Sequence, residues 1–296
     1  MLYTNEALNH FAKDPAVVYF GGQYLMYYSI KHDDGRFGVG IASSNDMDTW
    51  MPCGEVPLTQ ECEKNGIAAP GAIVLEGKVH LFYQTYGNWE KDALCHAVSE
   101  DGMNFSKNPE NPVFRPDATW CCGRAIDADV CVFGGKLLLY FATRDHQMKV
   151  QKVGGAWAEL DSGFGASAWT MLAHQSLLPP ELLWEGECIE APATIVDSGK
   201  LYMFYGGSYN CTPQQIGCAV SEDGVFFQRV SVEPFIPCGA PDAWNSSESG
   251  HPYAFRDPVT GKAHLFYQGS SDMGKTWYLS RADIDFVDGK PVLLSK

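Results

Sequence analysis

The sequence predicts an all-β fold, a five-bladed β-propeller, on two observations. The first is a phrase that occurs five times: a short apolar strand, a glycine turn and a second apolar strand. It runs from Lys13-Asp14-Pro15 to Tyr28, from Ala69-Pro70-Gly71 to Tyr83, from Asp127-Ala128-Asp129 to Tyr140, from Glu190-Ala191-Pro192 to Tyr205, and from His251-Pro252-Tyr253 to Tyr267. The second is a further strand after the hairpin, which in four copies ends in a turn; Ala-Val-Ser-Glu-Asp-Gly stands at both 97–102 and 219–224. Asp-Gly followed by an aromatic residue leads into a fourth strand. Each unit thus reads as a four-stranded antiparallel meander, repeated about every 55 to 63 residues, and five such units close best around an axis. A solenoid fits less well, because the units are long, purely β and carry polar outer loops.

In chain order, each blade supplies an inner strand whose first residues are the head of the phrase. Pro15, Pro70, Pro192 and Pro252 stand at the strand starts, where a missing N–H is tolerated. The first strand of a propeller blade lies nearest the axis, so the five heads converge on one face. The turns at Gly21-Gly22, Gly77, Gly134-Gly135, Gly199 and Gly261 then fall on the opposite face. The loops 29–37, 84–92, 142–147, 206–215 and 268–275 return to the face of the heads. Residues 158–187 interrupt the pattern and read as an outer strand plus an extended insertion, with room for a short helix. No composition break marks a boundary, so 1–296 is read as one domain.

Hydrophobic residues at 45% and charged residues at 19% suit a folded chain with a sizeable core. The formal charge is −15 and no basic stripe stands out, which argues against nucleic-acid partners and against anionic membranes. A neutral substrate such as a sugar is compatible with this balance. No stretch approaches the roughly 20 apolar residues of a membrane span. Met1 to His10 has neither a basic start nor an apolar run, so no export signal is expected and a cytoplasmic setting is. Ten scattered cysteines, several of them inside apolar strands, then read as free thiols, and no paired Cys-x-x-Cys suggests a zinc site.

Aligned on the residue after the turn glycine, the heads are Asp14, Ala69, Asp127, Glu190 and His251. Strand-start Asp and His residues often only cap turns. Four ionisable groups in five equivalent slots point instead to a site. Carboxylates crowded on apolar walls push one another's pKa apart, so that one is protonated while another stays ionised. Glycoside hydrolysis needs that division: one acid for the leaving oxygen, and one carboxylate to activate water or attack carbon. Trp89 and Tyr209 on the pocket-face loops suit stacking on sugar, and Arg144 suits hydroxyl recognition. Asp129 is a rival carboxylate that faces the same way as Asp127 by strand alternation. His10, Cys121, Cys122 and Arg124 are candidates for the rim.

The order Asp-Pro in blade one, Ile-Asp in blade three, Glu-Ala-Pro in blade four and Gly-His in blade five resembles glycoside hydrolase family 43 and its five-bladed relatives, the arabinanases, β-xylosidases, invertases and levansucrases. The resemblance implies Asp14 as general base, Asp127 as the residue that orients and tunes the acid, and Glu190 as general acid. It places His251 at the axis. It requires no cofactor and allows a structural calcium or sodium ion near His251. The family's Trp-Ala-Pro of blade two is Ala68-Ala69-Pro70 here, which removes an aromatic. The invertase pattern fits less well: its Arg-Asp-Pro falls in the turn of blade five at Arg256-Asp257-Pro258, and its Glu-Cys would select Glu187-Cys188 over Glu190.

The expected function is hydrolysis of terminal arabinofuranosyl or xylosyl residues with inversion, on a small oligosaccharide or glycoside. A mannoside-type phosphorylase, which needs a cationic phosphate pocket, and a non-catalytic carbohydrate-binding propeller are the rivals. The sequence leaves the oligomeric state open.

Overall fold

The computed structural model describes residues 2–294. Five antiparallel sheets follow one another along the chain. Blade one comprises Lys13–Phe20, Gln23–Lys31, Phe37–Ser44 and Met51–Glu55. Blade two is Ile67–Leu75, Lys78–Thr85, Leu94–Ser99 and Ser106–Lys107. Blade three is Ile126–Phe133, Lys136–Arg144, Gln151–Ala158 and Thr170–Met171; blade four is Ile189–Asp197, Lys200–Gly207, Gln215–Ser221 and Gln228–Arg229. Each is a meander in sequence order, so the five-bladed propeller stands.

The fifth sheet departs from four strands. Glu248–Arg256, Ala263–Ser270 and Tyr278–Val287 are followed by Lys290–Leu293, and the N-terminal strand Leu2–Tyr3 also pairs with Tyr278–Val287. Leu2 faces Ser280 while Ile284 faces Leu293, so two short strands share the outer edge and the first residues of the chain close the ring. In the 158–187 insertion the structure shows only the Thr170–Met171 strand and a 3-10 turn at Leu183–Glu185. Among the described residues no helix is long and apolar enough to cross a membrane. The outer ends of the expected 1–296 span, residues 1 and 295–296, lie outside the described residues.

The hydrophobic core is divided among the blade interfaces. Leu25, Tyr27 and Ile41 of blade one pack on Ile67, Leu81 and Tyr83 of blade two. Phe82 and Leu94 meet Leu139 and Phe141; Tyr140 and Val153 meet Met203 and Tyr205; Phe204 and Ile216 meet Leu265 and Ile284; Met26 and Tyr28 meet Phe266 and Leu279. Alternation along every strand feeds one face to each neighbour, which is why the strands read as nearly continuous apolar runs.

The repeated turns give repeated hydrogen bonds. The Gly102 and Gly224 amides donate to Ser99 Oγ and Ser221 Oγ, both at 2.9 Å, and Asp101 Oδ1 and Asp223 Oδ1 accept from the two amides that follow. The turn then docks on the preceding blade: Tyr27 donates to Gly102 O at 2.8 Å and Tyr140 to Gly224 O at 2.7 Å.

At the head of every inner strand the ladder breaks into a bulge, between Lys13 and Ala16, Ala68 and Gly71, Ile126 and Asp129, Glu190 and Ala193, and Gly250 and Tyr253. The bulged residue is left-handed in each: Asp14 at φ 51°, Ala69 at 45°, Asp127 at 54°, Ala191 at 50° and His251 at 40°. Non-glycine residues in this region cost about 1 kcal/mol or more, and a strand bent this way re-aims its side chain.

Candidate active site

The bulges bring four of the five heads, with Ala191 in the fourth place, to one narrow axial cavity lined by Asp14-Pro15, Ala69-Pro70, Asp127-Ala128, Ala191-Pro192 and His251-Pro252-Tyr253. Tyr253 donates across the axis to Ala72 O of blade two at 2.7 Å. Convergence of the heads is as the repeat predicted, with one correction. The fourth bulged residue is Ala191, and Glu190 stands one position earlier, level with Lys13, Ala68, Ile126 and Gly250. Lys13 and Glu190 thus occupy matching slots, and both line the wider cleft above the axis.

His251 joins the carboxylates. Its Nδ1 lies 2.8 Å from Asp14 Oδ1 and its Nε2 lies 3.1 Å from Glu190 Oε1. Glu190 is enclosed by further donors. Gln214 Nε2 reaches Oε1 at 2.7 Å, Asn210 Nδ2 reaches it at 3.0 Å, and Gln151 Nε2 donates to Oε2. Backbone amides at the bulges find acceptors on second strands of neighbouring blades: Asp14 N on Gln268 Oε1 at 3.1 Å, Ala69 N on Ser29 Oγ at 2.8 Å and Asp127 N on Gln84 Oε1 at 2.9 Å. Asp127 Oδ2 is buried and has no hydrogen-bond partner.

The electrostatics divide the three acids. Burial pushes the Asp14 carboxyl up, but the His251 and Lys13 charges outweigh it and hold Asp14 well below the usual carboxylate range. Burial of Glu190 is likewise overcome by His251, Gln214 and Lys13, and its pKa falls to about 2. At Asp127 burial wins; the Glu190 and Asp14 charges add to it against His251 and Arg124, and the pKa rises to about 7. Burial disfavours a charged His251, yet Asp14, Asp127 and Glu190 around it raise its pKa well above that of a free imidazole. Of the three carboxyls Asp127 is thus the one whose pKa is pushed up, whereas the sequence reading looked for the raised acid at Glu190. The physical reason is the imidazolium and the carboxamides, which the head residues alone did not reveal.

Asp127, Glu190 and His251 each offer a ligand atom within 4.8 Å of the others. Both imidazole nitrogens are engaged by Asp14 and Glu190 in this arrangement, which leaves no lone pair for a cation. Calcium seeks six to eight oxygen ligands. An imidazole engaged on both nitrogens is no ligand for the expected axial calcium or sodium ion, which leaves the carboxylates of Asp127 and Glu190 as the side chains of this group that would hold one.

Of the loop candidates, Trp89, Arg144 and Tyr209 line the cleft together. The Arg144 guanidinium stacks between the two rings, 5.5 Å from Trp89 and 5.0 Å from Tyr209. Arg124 also lines the cleft, whereas Cys121 and Cys122 do not. His10 lies against Tyr278, with ring centroids 6.4 Å apart, away from the cleft. Asp129 is turned aside by the bulge and accepts from Thr194 N at 2.9 Å and from the Thr194 hydroxyl. Glu187 is exposed and paired with Lys149 at 2.8 Å. Lys13, Gln151, Asn210 and Gln214 escaped the sequence reading, because a strand-start lysine and isolated carboxamides carry no motif. So did the stacked pair Phe37 and Tyr86, 4.1 Å apart beside Ala68 and Ala69, which restores aromatic surface to the cleft on the blade-two side.

The family model for glycosyl hydrolases family 43 matches residues 3–284. Among solved structures, a thermostable family-43 glycoside hydrolase superposes with a TM-score of 0.78 at 19% identity, over 96% of this chain and 93% of that one. An endo-1,4-β-xylanase from Bacteroides thetaiotaomicron VPI-5482 gives 0.78 at 19%, over 97% and 96%. An exo-1,5-α-L-arabinanase from a bovine ruminal metagenomic library gives 0.66 at 19%, over 96% and 97%. These likenesses establish the shared propeller, and the family match over almost the whole chain establishes more: this protein is a glycosidase belonging to glycosyl hydrolase family 43.

Proposed function

We infer that the protein removes terminal arabinofuranosyl or xylosyl residues from short glycosides by a single inverting displacement. The observation that carries this reading is the pair of carboxylates on opposite nitrogens of one imidazole, at 2.8 and 3.1 Å. Inversion needs its two carboxyl groups about 6.5–9.5 Å apart so that a water fits, whereas retention uses about 5–5.5 Å. Partners held apart by the width of a ring favour the wider arrangement.

In the proposed reaction Asp14, ionised and acceptor-only, takes a proton from the attacking water. Glu190 gives a proton to the leaving oxygen. His251 Nε2 and the Asp127 carboxyl are the adjacent proton-bearing groups, so the proton reaches Glu190 from within the cluster. The mouth formed by the Trp89 and Tyr209 rings with the Arg144 guanidinium lies on one side of the cleft, which suits a chain end over a chain interior. Phe37 and Tyr86 offer a stacking surface for the sugar. The arabinanase and xylanase among similar structures are compatible with a pentose.

The test is a panel of nitrophenyl glycosides followed by proton NMR of the first sugar released. Arabinofuranoside or xyloside turnover with the inverted anomer formed first is the expected result. Formation of the retained anomer contradicts the mechanism, and a panel with neither pentose cleaved contradicts the substrate.

A further inference from the structure

Two arginines of the cleft lack adequate counter-charge. The acids Asp14 and Glu190 are already matched by His251 and Lys13. Arg144 has no carboxylate within 4.0 Å among the described residues; its Nε donates to Gln151 Oε1 at 2.7 Å and its Nη1 to Met148 O at 3.3 Å. Arg124 is 7% exposed, its Nε is buried with no partner, and the one carboxylate within 4.0 Å of it among the described residues, Asp92, stands off at 3.6 Å; Asp127 acts on it only from farther away. Arg124 Nη1 reaches the same Gln151 Oε1 at 3.4 Å. One neutral carboxamide oxygen is therefore the acceptor shared by two guanidinium groups. The chain carries 36 acidic against 21 basic side chains, so carboxylates were available to pair with them.

The Arg144 guanidinium lies 5.5 Å from the Trp89 ring and 5.0 Å from the Tyr209 ring, and a guanidinium set against aromatic rings makes its hydrogen bonds in its own plane. A guanidinium edge matches the two oxygens of an oxyanion. We propose that Arg124 and Arg144, coupled through Gln151, form an oxyanion subsite of the cleft that takes a carboxylate-bearing sugar or a phosphate. Gln151 Nε2 also bonds Glu190, so the subsite lies one side chain from the acid. With Glu190 as general acid, a placement that rests on the function proposed above, this is the leaving-group side of the scissile bond. A phosphate acting as nucleophile would instead lie towards Asp14. The position therefore favours a uronic-acid unit on the departing part of the substrate.

Calorimetric titration of the whole chain tests this, with sodium galacturonate and glucuronate beside galactose and glucose, and with inorganic phosphate. At least one uronate is expected to bind about tenfold or more tightly than its neutral counterpart. Arg144→Met should bring the two within about twofold. Arg144 is only half-buried, so this variant avoids the folding risk of replacing Arg124. Arg144-dependent phosphate binding without uronate preference also supports the subsite and identifies a free oxyanion as its ligand. Equal binding of uronate and neutral sugar together with no Arg144-dependent phosphate binding overturns the proposal, as does a uronate preference that survives in Arg144→Met. Binding needs no turnover, so the same titration in Asp14→Asn separates this result from a failure of the hydrolytic reading.

Discussion

At the scale of single residues, the site depends on side chains that are small or neutral as much as on its acids. Gln214 reaches Glu190 because Gly206 and Gly250 leave space: a Cβ on Gly250 would stand 1.9 Å from Gln214 Oε1, and one on Gly206 would stand 3.0 Å from its carboxamide. Gly250→Ala should expel Gln214 and cut kcat by about tenfold to a hundredfold, with unfolding temperature as the control for the fold. Gln151→Leu leaves Glu190 Oε2 without its donor, and a drop in kcat larger than the rise in KM is expected. The proton on Asp127 is lost as pH rises through about 7, so kcat/KM should fall above neutrality, and Asp127→Asn should displace that alkaline limb. An unmoved limb in Asp127→Asn would assign it to another group. Asp14, Asp127 and His251 were legible because the repeat places a head in each blade. Glu190 was legible as a residue but misplaced by one register, since counting from its own turn lands on Ala191. The amides were illegible, because Gln151 at a strand start and Gln214 in a loop acquire meaning only against Glu190.

At the scale of elements, two devices recur and both were half visible. Ser-x-Asp at Ser99–Asp101 and Ser221–Asp223 was readable as a turn, but its clamp on Tyr27 or Tyr140 of the preceding blade was not. Gly102 has φ +75°, and a Cβ there would stand 2.3 Å from Leu25 Cδ1. Gly102→Ala is therefore expected to destabilise the protein by about 1–3 kcal/mol in denaturant melts. The second device was invisible in sequence. Before the inner strands of blades two and four, a 3-10 turn buries Glu63 and Glu185. Glu63 pairs with Lys107 at 2.8 Å and accepts from Tyr83 at 2.7 Å; Glu185 pairs with Arg229 at 2.7 Å and accepts from Tyr205 at 2.8 Å. Both anchor the fourth strand, through the cation, and the second, through the tyrosine, to the entry of the inner strand. Removing one partner strands a buried charge, so Arg229→Met should cost about 3–5 kcal/mol, far more than loss of the exposed Lys64–Glu61 pair.

At the scale of the molecule, the fold was legible almost entire, because a blade cannot bury its faces alone and five similar phrases must stack. What the repeat could not supply was closure: the Leu2–Tyr3 strand lies outside every repeat and is defined only by its partner Tyr278–Val287. The inter-blade cores also hold polar groups with consequences for pH. His80 and His96 stack with centroids 5.3 Å apart among Phe82, Phe164 and Asn108, with Glu76 and Lys78 near His80. Burial lowers both, His96 to about 3. The native state thus prefers them neutral, and the stability they contribute is present above about 6.5 and lost as pH falls below it. Other groups titrate in the same window, so the check is a difference: the unfolding temperature of His96→Phe relative to the parent should climb between pH 7.5 and 5. A difference independent of pH would remove the pair from the account.

The central claim is the division of labour between Asp14 and Glu190. It is tested most directly by kcat/KM of the parent, Asp14→Asn and Glu190→Gln on aryl pentosides whose leaving groups range from dinitrophenol to a sugar. An acid matters little to a leaving group that departs unprotonated, whereas a base is needed throughout. Glu190→Gln should therefore lose about a thousandfold or more on the sugar and little on dinitrophenol, while Asp14→Asn loses comparably on both. Equal losses across leaving groups in Glu190→Gln, or near-parental activity in Asp14→Asn, would contradict the account.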